Sequence, residues 1–155
     1  MSHSITFSKI ATADINLLMP IENSCHSHPW SEKTFTSCIG GRYFSEKCTE
    51  HNEGRQTIIG FYVADFIIDE ATLMDICVKP SEQGKGFGKK ILTQFIAQAK
   101  TKGAQKIWLE VRAKNIAAQM LYMNAGFIEK SRRTGYYPSA SGFGYEDAIV
   151  MLLNC

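Results

Sequence analysis

Three glycines at alternate positions, set among lysines and followed at once by a helical pattern, constrain this chain most. The segment reads QGKGFGKK over residues 83–90. Behind it Ile91, Leu92, Phe95, Ile96 and Ala99 form one apolar helix face, and Gly103 marks its end. Glycine lets the backbone turn so that several N–H groups converge, and it removes the Cβ that would hold a ligand off. The first turn of the helix adds unpaired N–H donors and a partial positive charge. Lys85, Lys89 and Lys90 add point charges. A pyrophosphate suits such a nest. The competing reading is a glycine-rich turn ahead of a lysine-decorated helix.

The spacing separates three phosphate-binding patterns. A Walker A loop needs GxxxxGK followed by Ser or Thr, but counting from Gly84 its second glycine falls on Lys89. A dinucleotide GxGxxG is met at Gly84 and Gly86 and fails, again at Lys89. The pattern Gln/Arg-x-x-Gly-x-Gly/Ala is met in full from Gln83 to Gly88.

At 155 residues, the chain is read as a single domain over 1–155 with one core. Hydrophobic residues make up 45% and charged residues 21%, a globular composition. A net charge of +2 is too small to argue for nucleic acid or an anionic membrane, and neither is expected as partner. The opening MSHSITFSKI lacks the basic-then-apolar form of a signal peptide. The most apolar run, residues 58–68, is too short to span a bilayer and contains Asp65. Five cysteines with no CxxC argue against a disulfide framework or a zinc site. The expectation is a soluble protein of a reducing cytoplasm.

Along the chain, residues 4–10 alternate like an edge strand, and residues 12–25 carry helical spacing with Asp14 near the start. Residues 28–40 predict a short helix capped by Ser31 and stopped by Gly40 or Gly41. Residues 56–68 and 70–78 predict a hairpin turning at Asp69–Glu70. Residues 105–112 form a strand with Ile107, Leu109 and Val111 on one face and Trp108, Glu110 and Arg112 on the other. Asn115 caps a helix ending at Gly126, and residues 127–137 and 145–153 close the order as two strands. The sum is β-α-α-β-β-α-β-α-β-β, a mixed-sheet α/β domain. Residues 45–57 carry no pattern that assigns them.

Two stretches now resemble one family. ICVKPSEQGKGFGKKIL is similar to the central strand, pyrophosphate loop and helix of GNAT-type N-acetyltransferases. WLEVRAKNIAAQMLYMNAGF is similar to the strand and helix that follow, often LxVxxxNxxAxxLYxxxGF. HPWSEKTF, DEATLMDICV, WLEVRAKN, GYYP and EDAIVM further resemble the bacterial ribosomal-protein-alanine N-acetyltransferases, the RimI type, over nearly the whole chain. The resemblance implies a GNAT-type fold, a mixed and mostly antiparallel sheet flanked by helices. It implies acetyl-CoA as co-substrate and the N-terminal alanine of a small-subunit ribosomal protein as acceptor. The alternatives are a small amine or lysine as acceptor, or a non-catalytic module that binds acetyl-CoA.

The resemblance also implies roles. The strand ending near Val78 and the strand 105–112 splay apart, and the pantetheine arm lies between them, paired with backbone groups of Ile76, Cys77 and Val78. Gly84, Lys85, Gly86, Phe87, Gly88 and Lys89 hold the pyrophosphate, and Asn115 bonds the pantetheine. Glu110, mid-strand beside the proposed cleft, is the candidate base; the alternative is a pair with Arg112 on an exposed face. Tyr122 follows Asn115 by two helical turns, on the same side, and is the candidate acid toward the leaving sulfur; the alternative is a core aromatic. Pro29, Trp30, Tyr136 and Tyr137 are candidates for holding an acceptor peptide, with a core role for Trp30 equally open. Arg132 and Arg133 read as solvated charges. Cys25, His26 and His28 are too local for a closed metal site without a second ligand pair, so no metal is expected.

Overall fold

The computed structural model describes residues 3–155, and the first two residues of the polar opening stretch lie outside that range. Its strands are β1 (His3–Lys9), β2 (Tyr43–Asn52), β3 (Arg55–Ile67), β4 (Glu70–Val78), β5 (Lys106–Arg112), β6 (Ile128–Pro138) and β7 (Tyr145–Asn154). Its α-helices are α1 (Ile15–Cys25), α2 (Glu32–Ser37), α3 (Phe87–Thr101) and α4 (Ile116–Asn124). The strands join one sheet in the order β1-β2-β3-β4-β5-β7-β6, antiparallel at every junction except β4–β5. The mixed, mostly antiparallel α/β architecture is the one expected. The element order gains a strand: β2 runs through most of the unassigned stretch. The hairpin turn also falls one residue earlier, at Ile68–Asp69, with Ile68 exposed at φ 59°.

Local chemistry explains the helix ends. Thr34 N–H donates to Ser31 Oγ at 3.1 Å, and Ala118 N–H donates to Asn115 Oδ1 at 3.1 Å, so both predicted N-caps are made. Gly126 follows α4 at φ 105°, a conformation that favours glycine.

The sheet is covered on both faces. On one lie α3 and α4, whose Phe87, Ile91, Leu92, Phe95 and Tyr122 pack with Tyr62, Leu73, Ile107 and Leu109. On the other lie α1 and α2, whose Leu18, Ile21 and Phe35 pack with Phe61, Val63 and Cys77. β3 is therefore buried on both faces through its middle.

Two features of β4 position the site. Its parallel pairing with β5 is confined to Glu70↔Lys106, Ala71↔Ile107 and Thr72↔Trp108. Next, Val63 pairs with Asp75 and Ala64 with Leu73, which leaves Met74 as the extra residue of a β-bulge. A bulge bends its strand and turns its side-chain alternation over. Before it, Ala71 and Leu73 belong to the α3-side core; after it, Cys77 belongs to the α1-side core. Gly60 on β3 faces Val78, and a Cβ there would run into the Cys77 carbonyl oxygen and lie 2.7 Å from Ile91 Cδ1. Only glycine lets β3 and α3 close on this end of β4. Among the described residues, no helix is long and apolar enough to cross a membrane.

Candidate active site

Beyond Thr72 the two parallel strands have no sheet partner on their facing edges, and a cavity of about 740 Å³ opens between them. That volume is ordinary for a small-molecule site. Its walls include Ile76, Cys77 and Val78 of β4, Glu110 and Arg112 of β5, and Tyr122 of α4. Gly84, Gly86, Gly88, Lys89 and Asn115 line it as well, so most of the predicted cofactor residues meet in one place.

The loop before α3 is open on its ligand side. Gly84 and Gly86 adopt φ 80° and 86°, and a Cβ on either would meet nothing within 4 Å. Gly86 caps the 15-residue helix α3, whose first-turn amides lack intrahelical partners. The three lysines divide. Lys89 reaches the cavity, Lys85 pairs with Glu82 at 2.9 Å, and Lys90 lies over the Phe87 ring at 5.6 Å. Lys85 and Phe87 therefore offer the loop their backbone, not their side chains; Phe87 is part of the core. The Val78 carbonyl already accepts from Cys25 Sγ at 3.2 Å and Gln83 Nε2 at 3.0 Å. The Asn115 cap occupies its carbonyl oxygen and leaves the amide NH2 as donor.

Glu110 stands 27% exposed, with Arg133 Nε 3.4 Å from its Oε1. The pair with Arg112, the alternative to a base, is not made. Arg112 instead binds Glu146 at 3.0 Å, donates to the Pro138 carbonyl at 2.7 Å and lies over Tyr137 at 4.5 Å. Arg133 is not simply solvated, because it also stacks on Tyr136 at 4.6 Å. Arg132 pairs with Glu129 at 3.5 Å, both half exposed. Tyr122 is buried, edge-on to Phe127 at 6.1 Å, and lines the cavity. Burial, with the negative charge of Asp75, holds its phenol above the ordinary tyrosine range. Its proton is therefore available for donation throughout the neutral range.

The candidate peptide contacts separate. Trp30 and Tyr137 line the cavity. Trp30 is also half-buried against Phe35 at 5.6 Å, edge-on, so both readings of it hold. Pro29 and Tyr136 are exposed beside these rings and do not line the cavity.

A group the sequence reading missed lies on the α1 side of the cleft. His26 Nε2 is 2.7 Å from Asp75 Oδ1 and 3.2 Å from Cys77 Sγ. Glu22 is 1% exposed, accepts from Trp30 N–H at 2.8 Å and pushes its own pKa up to about 8 through burial and the neighbouring Asp75. Cys25 is brought down to about 7, first by its hydrogen bond with Cys77. The sequence carried two signals for this group. Glu22 and His26 are four apart at the end of a helix, and Asp75 and Cys77 are two apart on a strand.

The chain belongs to the acetyltransferase (GNAT) family, whose model matches residues 15–127. Within it, the ribosomal protein bS18-alanine N-acetyltransferase of Haemophilus influenzae is 44% identical over 144 residues, covering 93% of this chain and 94% of that one. The enzyme of the same name from Salmonella typhimurium is 41% identical over 148 residues, 96% of each chain. The crystal structure of the ribosomal-protein-S18-alanine N-acetyltransferase from Escherichia coli matches with a TM-score of 0.87 at 39% identity, over 97% of this chain and 94% of that one. The resemblance read from the motifs is thereby met.

Proposed function

We propose that this chain transfers the acetyl group of acetyl-CoA to the N-terminal α-amine of a protein in the cytoplasm, the acceptor being the alanine that begins ribosomal protein bS18. The observation that carries the reading is the early end of β4–β5 pairing at Thr72↔Trp108, with Glu110 and Tyr122 on the walls of the gap that follows. The names of relatives at 44% and 41% identity supply the acceptor.

The steps follow from the residues. Amides of the loop from Gly84 to Lys89 take the pyrophosphate, and the free edge of β4 around Ile76 and Cys77 takes the pantetheine amides. Asn115 adds a donor to that arm. Fixing the thioester this way lowers the entropic part of the barrier. Glu110 accepts the proton of the incoming ammonium, directly or through a water. The neutral amine attacks the thioester carbonyl carbon to give a tetrahedral intermediate. Its collapse breaks the C–S bond as Tyr122 donates its proton to the departing sulfur; the nitrogen, positively charged in the intermediate, passes its second proton to the Tyr122 phenolate, and Glu110 releases the first to solvent. Trp30 and Tyr137, with Pro29 and Tyr136 beside them, hold the acceptor backbone.

Magnitudes favour an α-amine. With a pKa of about 8, roughly a quarter of it is neutral at pH 7.5, against about one lysine in a thousand at pKa 10.4. One carboxylate suits the first task better than the second. Comparison of a peptide copying the bS18 N-terminus, the same peptide with a blocked N-terminus and an internal lysine, and spermidine tests this. The free alanine peptide is expected to exceed both others in kcat/KM by at least about 100-fold, in keeping with the difference in neutral fraction. Parity among them would overturn the acceptor assignment. Mass spectrometry of ribosomal proteins from cells lacking the chain should show bS18 alone without its N-terminal acetyl group.

A further inference from the structure

The group beside the cleft has the donor set and the shape of a zinc site. Glu22 and His26 come from the end of α1, Asp75 and Cys77 from β4 just after its bulge. One ligand atom from each lies within 4.8 Å of all the others. Four donors around Zn²⁺ at about 2.0 Å for N and O and about 2.3 Å for S would be separated by about 3.3 Å, or about 3.5 Å where sulfur is one of the pair. Cys77 Sγ lies 3.2 Å from His26 Nε2, 3.4 Å from Asp75 Oδ1 and 3.4 Å from Glu22 Oε1. His26 Nε2 lies 3.6 Å from Glu22 Oε1. His26 Nε2 to Asp75 Oδ1, at 2.7 Å, is drawn in by the hydrogen bond that a cation would replace.

A second observation points the same way. Asp75 Oδ2 is buried and, among the described residues, has no hydrogen-bond partner. A buried carboxylate with one oxygen unpaired is costly, and a cation held on its other oxygen, Oδ1, offsets part of that cost through its charge. Glu22 is also oriented as a metal ligand should be: Oε2 is tied to Trp30 N–H, which leaves Oε1 turned to the group. The thiol of Cys77 would give up its proton to the ion, as coordinating thiols do. Along the sequence, Cys25, His26 and His28 lack a second ligand pair. The fold supplies that pair in Asp75 and Cys77, which lie 49 and 51 positions beyond His26.

We propose that Glu22 Oε1, His26 Nε2, Asp75 Oδ1 and Cys77 Sγ bind one Zn²⁺ ion, which ties the end of α1 to β4 at the floor of the cleft. Mixed N, O and S donors in four-coordination select Zn²⁺ over Mg²⁺ or Ca²⁺.

The test uses the full chain without an affinity tag, stripped with a chelator and titrated with Co²⁺ as a spectroscopic substitute. Binding is expected at one ion per chain, with a near-ultraviolet thiolate-to-cobalt band and the strong visible absorption of tetrahedral Co²⁺. Zn²⁺ should abolish both and raise the Tm. Cys77→Ala should lose the thiolate band and the Zn²⁺-dependent Tm shift, while Cys25→Ala keeps both. Asp75→Asn, of nearly the same shape, should weaken Zn²⁺ binding by at least about tenfold, and circular dichroism confirms that each variant is folded. The assignment is overturned by the absence of a thiolate band in the wild type, by a band that survives Cys77→Ala, or by unchanged Zn²⁺ affinity in folded Asp75→Asn.

Discussion

Glu110→Gln is expected to lower kcat by about 10² to 10⁴-fold, the usual range for a general base, while the Kd for acetyl-CoA stays within a few-fold. The substitution keeps the volume of the side chain and removes the group that receives the amine proton. In free energy the loss is about 3 to 5 kcal/mol at the transition state. A purely structural Glu110 predicts something different. Among the described residues its ion-pair partner is Arg133 at 3.4 Å, and that arginine is half exposed. Pairs of this kind contribute about 0.2 to 1 kcal/mol. Arg133→Met breaks the same contact and leaves the carboxylate, so it should retain turnover within a few-fold. Steady-state kinetics of both variants, with acetyl-CoA binding by calorimetry, separate the roles. Equal losses in the two would show that the ion pair, not the base, matters.

Tyr122→Phe is expected to lower kcat by about 10²-fold or more, again with acetyl-CoA binding preserved. Only a hydroxyl is removed, and the ring stays in place against Phe127, so the fold should survive. The pH dependence follows from the sign of the shift. Burial and neighbouring negative charge raise the Tyr122 pKa above its ordinary value of 10. The proton it must give is therefore in place at every pH below that value. The rise in kcat/KM between about pH 7 and 9 then belongs to the acceptor amine, and Tyr122→Phe should lower the whole profile without moving that rise. A fall in wild-type activity well below pH 10 that Tyr122→Phe removes would contradict this role.

Much of the fold was legible because local signals agreed with the final structure. The apolar face from Ile91 to Ala99 did become the buried face of α3. Ser31 and Asn115 cap the helices they were expected to cap. β2 was not legible, and the reason is physical. Its sequence, YFSEKCTEHN, is rich in charged and polar residues that are poor strand formers in isolation. It is a strand because β1 and β3 pair with it along both edges. Its buried residues, Ser45 and Cys48, are three apart in unbroken register and so face opposite sides of the sheet, which leaves no one-sided alternation to read. The bulge at Met74 hid a second feature. Strict alternation from Ala71 would put Leu73, Asp75 and Cys77 on one face, whereas the bulge turns the last two toward α1.

The candidate site shows the same division. Residues carried by the two contiguous motifs, such as Gly86, Glu110, Asn115 and Tyr122, meet at one cavity. Residues whose partners lie far along the chain were read incompletely. For Glu110 the alternative to a base was a pair with Arg112, its neighbour on the strand, and the structure gives it Arg133 from β6. His26 was weighed with Cys25 and His28, and the structure gives it Asp75 and Cys77 from β4. Spacing reports neighbours along an element; it does not report which strands lie across the cleft.

The central claim is that the gap opened by the divergence of β4 and β5 is the thioester slot. A crystal structure with coenzyme A joined through an acetyl linker to the first residues of bS18 tests it most directly. The pyrophosphate should sit on the amides of residues 84–89, the pantetheine should run along Ile76 and Cys77, and the linked nitrogen should lie within hydrogen-bond reach of Glu110 or of one bridging water, with the sulfur beside the Tyr122 hydroxyl. A ligand bound outside the gap, or a Glu110 carboxylate turned away from that nitrogen, would contradict it.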